Sequence, residues 1–161
     1  MTRFRLVPIL VCLATTSVLP QPTFADEIKP PEGLKCFIMK KRKVKEKYAV
    51  DYRDAKLFLC CKSCVKRFGK TPEKYEAKAN HQLVLTGQFV QKACPVSGES
   101  VDAGNVLEIA GVDVRFAASN HLDSIAKMEV DDQIQAIFGE DGFEKGEFEP
   151  AKKKETTESS S

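Results

Sequence analysis

The chain lacks an apolar run that reads as a membrane span. Its longest candidate, Leu6 to Leu19, is short and interrupted, whereas a spanning helix needs about 20 consecutive apolar residues. Histidine is scarce, with His81 and His121 the only two. No Ser-His-Asp set, phosphate-cradling glycine loop or recognisable pair of acids appears, so catalysis has little support in the sequence. An excess of charge is also missing, since 25 basic residues against 23 acidic ones leave a net charge of +2. Both surplus charges sit at the N-terminus. Arg3 and Arg5 precede the apolar stretch, and Thr23-Phe24-Ala25 fits a small-residue cleavage site, so residues 1–25 read as an export signal. Without Arg3 and Arg5 the 25 basic residues become 23, level with the 23 acidic ones. A neutral mature chain argues against nucleic acid as a partner. The local basic run Lys40–Lys47 reads as the solvated face of a loop. The expectation is an exported protein, periplasmic or secreted, with no stable membrane span.

Cysteine, by contrast, is present in a pattern. Cys36 is followed after 23 residues by Cys60-x3-Cys64. Thiolates select zinc, copper(I) and related soft ions over magnesium or calcium, and bind zinc at about 2.3 Å. Three sulfurs meet at that range only if the intervening chain doubles back. It can, because Tyr48–Tyr52 and Lys56–Cys60 read as strands around a turn at Arg53-Asp54-Ala55. Helix follows: Val65 and Phe68 share a face, Gly69 offers a stop, and Thr71-Pro72 opens a second helix running toward Asn80.

The run from Cys36 to Tyr75 resembles a YHS or TRASH domain, a zinc-knuckle-like unit of treble-clef type. The resemblance rests on Cys60-x3-Cys64 after an aromatic-rich strand, on Phe68 four residues on, and on Thr71-Pro72-Glu73-Lys74-Tyr75. It implies that Cys36, Cys60 and Cys64 are the metal ligands, and that a metal transport or resistance protein is the kind of partner to expect. Cys61 and the run Lys35-Cys-Phe-Ile-Met39 depart from the family pattern.

A second copy follows. Cys94-Pro-Val-Ser-Gly98 resembles the family's opening loop, and Val106–Phe116 is again a hairpin pattern with Ala110-Gly111 at its turn. A shift of 57 residues places Ala117 on Cys60, Ala118 on Cys61, His121 on Cys64 and Ile125 on Phe68. The apolar frame is kept while most ligands are lost, so this copy reads as a metal-free partner and the expected load is one ion per chain, zinc or copper(I). The resulting fold class is α+β, with two small hairpin-plus-helix repeats packed together. The expected divisions are the signal (1–25), repeat one (26–80), a linker strand (81–93), degenerate repeat two (94–145) and a disordered tail (146–161) whose composition cannot offset ordering entropy.

Other readings of the cysteines stay open. Oxidising compartments favour disulfide staples, though five cysteines outside the signal leave one over. Neighbours on a strand face opposite sides, which suggests that Cys61 stays out of the metal set and is buried or paired with Cys94. Cys61-Lys-Ser-Cys64 also has the two-residue spacing of a thiol-disulfide oxidoreductase, without that fold's βαβ surroundings. Met39 and His81 are candidate supplementary ligands for copper and zinc respectively.

Overall fold

Residues 29–151 are described by the computed structural model. Residues 1–28, which include the expected export signal at 1–25, and residues 152–161 lie outside the described residues. Strands β1 (Ala49–Tyr52) and β2 (Ala55–Phe58) pair antiparallel with Ala49 opposite Phe58. Arg53 and Asp54 both take positive φ, 50° and 57°. A two-residue hairpin loop with both central residues left-handed matches the right-handed twist of its strands. Ala55 therefore begins β2 instead of belonging to the turn. Helix α1 (Lys62–Lys70) follows, burying Cys64 and Phe68.

After a 3₁₀ turn at Pro72–Tyr75, helix α2 covers Glu76–Leu85. The linker strand expected from residue 81 is thus helical for its first five positions. The reason lies in what α2 buries: Asn80 and Gln82 are inside along with Ala77, Ala79 and Leu83. Buried polar side chains obscure a helical apolar stripe and leave His81–Leu85 looking like an alternating strand. Only Phe89–Val90, strand β3, is extended and paired.

The second half repeats the first with the predicted offset. Strands β4 (Val106–Ile109) and β5 (Val112–Arg115) pair in the same register, Val106 opposite Arg115, and helix α3 (Ser119–Ala126) follows. Ala110 and Gly111 take the positive-φ turn positions at 49° and 89°. The correspondence extends to loop hydrogen bonds. The Lys45 amide donates to Leu59 O at 2.9 Å and the Asp102 amide to Phe116 O at 3.0 Å, while those of Leu59 and Phe116 donate to Tyr48 O and Asn105 O.

Helix α4 (Val130–Phe138) buries Ile134, Ile137 and Phe138 and packs against α2. The acidic stretch after Gly139 is the short helix α5 (Glu140–Lys145). It lies so close to α4 that a Cβ on Gly142 would collide with the carbonyl oxygens of Ala136 and Ile137. The start of the expected tail is ordered too. Phe148 is buried and stacks on Phe143 at 4.8 Å, and β6 (Glu149–Pro150) pairs with β3. A single buried aromatic outweighs the polar composition around it, which a composition argument averages away. Among the described residues no helix is long and apolar enough to cross a membrane.

Candidate metal centre

Cys36 sits in a tight basic loop. Its amide donates to Arg42 O at 2.9 Å, the Arg42 amide donates to Met39 O, and the Val44 amide donates to Leu34 O. The loop turns the Cys36 side chain inward until no part of the residue is exposed. Cys60 lies just beyond β2, and Cys64 in the first turn of α1, both buried. The three sulfurs all lie within 4.8 Å of one another, with Cys60 Sγ and Cys64 Sγ 3.6 Å apart. Two sulfurs about 2.3 Å from one tetrahedral ion are separated by about 3.8 Å. The observed spacing thus suits a shared soft ion with little rearrangement.

Cys61 does not behave as expected. Its sulfur is 3.5 Å from Cys64 Sγ and 3.8 Å from Cys60 Sγ, and the residue is half-buried. The alternation rule fails because β2 ends at Phe58 and Cys61 is the N-cap of α1, with φ −164° and ψ 162°. An N-cap side chain leans over the helix's third residue, here Cys64. The Cys61-x-x-Cys64 spacing was the sequence signal for this proximity. Cys94 is elsewhere, 3.7 Å from His121 Nδ1, so the suggested pairing of Cys61 with Cys94 is not formed and all five described cysteines are free thiols.

The other suggested ligands are also elsewhere. Met39 is 40% exposed in the basic loop. His81 packs edge-on against Phe138 and its Nε2 lies 3.3 Å from Ile109 O, where burial lowers its pKa.

Burial dominates the electrostatics of the centre. It raises the Cys60 and Cys64 thiols above their ordinary value of 9.0, helped for Cys64 by the adjoining Cys61 and Cys60 thiols. Cys61 shifts the other way, lowered first by the Cys64 amide in the first turn of α1. The first-turn amides and the helix dipole favour a thiolate there. An apolar shell closes the site from outside: Phe68, one turn beyond Cys64, meets Phe37 at 6.0 Å and Tyr52 at 5.5 Å, both edge-on. The arrangement offers buried soft donors with a half-exposed thiol at their edge. No protein-family model matches the chain, and neither a curated protein nor a solved structure matches it.

Proposed function

We propose that this protein is an exported, non-enzymatic binder of a soft heavy-metal ion, zinc or copper(I), which it buffers or hands on outside the cytoplasm. The observation that carries this reading is the convergence of three buried cysteine sulfurs within 4.8 Å. The resemblance of residues 36–75 to YHS and TRASH domains supports it. Donor chemistry supports it as well, because thiolates alone suit zinc or copper(I) and disfavour hard cations. Cys36, Cys60 and Cys64 would hold the ion, and a metal transport or resistance protein would be the partner that supplies or receives it.

The test is elemental analysis of the purified mature protein together with single-residue variants. We expect one tightly held ion, lost in Cys36→Ser, Cys60→Ser and Cys64→Ser. Because metal binding and folding are linked in small units, a chelator should lower the melting temperature of the wild type. Full occupancy in Cys64→Ser would discard the site. A melting temperature that responds to reductant and ignores chelator would instead establish a disulfide-stapled protein.

A further inference from the structure

The second half keeps part of the first half's donor geometry. Cys94 lies in a tight loop, its amide donating to Glu99 O at 2.8 Å as that of Cys36 donates to Arg42 O. His121 occupies the place of Cys64 in the first turn of α3. Its amide donates to Ala118 O at 3.2 Å, as that of Cys64 donates to Cys61 O at 3.0 Å. The two side chains meet, with Cys94 Sγ 3.7 Å from His121 Nδ1. For zinc–sulfur and zinc–nitrogen bonds of about 2.3 and 2.0 Å, two ligands of one tetrahedral ion stand about 3.5 Å apart. Ala117 and Ala118 replace Cys60 and Cys61 and are half-buried, as is His121, while Cys94 is fully buried.

We propose that Cys94 and His121 form a second soft-metal site, open on the side of Ala117 and Ala118, where water or a ligand from another molecule completes the coordination. With two protein donors it keeps open coordination positions, so this site differs in kind from the Cys36–Cys60–Cys64 centre. The proposal departs from the expectation of a metal-free second half. It leans on the proposed function only for the identity of the ion class.

Titration of the reduced mature chain with cadmium(II), followed by calorimetry and by thiolate-to-metal absorption in the ultraviolet, tests it. Two binding events are expected: a tight one, and a weaker one with the smaller absorbance gain that a single thiolate gives. Cys94→Ser and His121→Ala should each abolish the weaker event and keep the tight one, while Cys64→Ser should do the reverse. If Cys94→Ser fails to fold, His121→Ala decides, since its position is half-exposed. A single event in the wild type that survives both Cys94→Ser and His121→Ala overturns the second site and leaves the first standing. A single event lost in either of those variants but kept in Cys64→Ser establishes the second site and overturns the first. A weaker event that persists in both variants places that ion elsewhere and also overturns the proposal.

Discussion

A buried thiol resists losing its proton, and that couples the stability of the metal-free protein to pH. Burial raises Cys60 and Cys64 above 9.0 in the folded chain, whereas the unfolded chain's thiols ionise near 8.5. Below that pH both states hold the protons and the contribution to stability is fully present. As pH rises past it, the unfolded chain releases protons that the folded chain retains, so stability falls with pH. We predict that the metal-free protein loses urea resistance steadily as pH rises above about 8.5, and that Cys60→Ala or Cys64→Ala flattens the decline. A metal-free wild type with constant stability above that pH would contradict the thiol burial. The same residues show what the sequence could convey. The convergence of Cys36, Cys60 and Cys64 was legible because the insert between them carries a hairpin pattern that doubles the chain back. Cys61 was misplaced because strand alternation was carried past the end of β2 into an N-cap.

At the scale of elements, the two hairpins leave strand edges that need partners, and glutamine amides supply them. Gln82 accepts from the Phe58 amide at 2.7 Å and donates to Phe58 O at 3.1 Å. Gln88 does the same for Lys56 at 2.7 and 2.8 Å. Gln91 serves Arg115, the counterpart of Phe58, at 3.0 and 2.6 Å. Each amide stands in for one residue of a missing strand, satisfying a backbone donor and acceptor together. Gln82→Leu removes both partners of a buried pair at about 1–3 kcal/mol per group, so we predict a loss of about 3 kcal/mol. It would be read as a lower urea midpoint at unchanged slope, and a midpoint equal to that of the wild type would refute the role. The hairpins themselves were legible, since alternation and turn residues are local. The span of α2 was not, because Gln82 is buried for a partner 24 residues away and no local period records that.

For the molecule as a whole, the edge of β2 is closed by Gln82 and Gln88, α2 packs on α4, and β3 pairs with β6. Repeat one is thus completed by the segment expected as a linker, and the segment expected as the start of a tail pairs with that linker's strand β3. Units this small seldom carry a self-sufficient core, which is why a duplication legible in the sequence need not mean separable domains. The distribution of chromophores makes this testable. There is no tryptophan, and all three tyrosines, Tyr48, Tyr52 and Tyr75, lie in the first half, so tyrosine fluorescence follows that half while far-ultraviolet circular dichroism follows both. We predict coincident urea transitions by the two probes. Leu83→Ala, at a fully buried position on α2, should shift both together by about 2–5 kcal/mol. If the halves folded independently, tyrosine fluorescence and dichroism would separate, and the substitution would widen the gap between them. Adding the metal should likewise move both curves, because an ion that binds only the folded centre stabilises whatever folds with it.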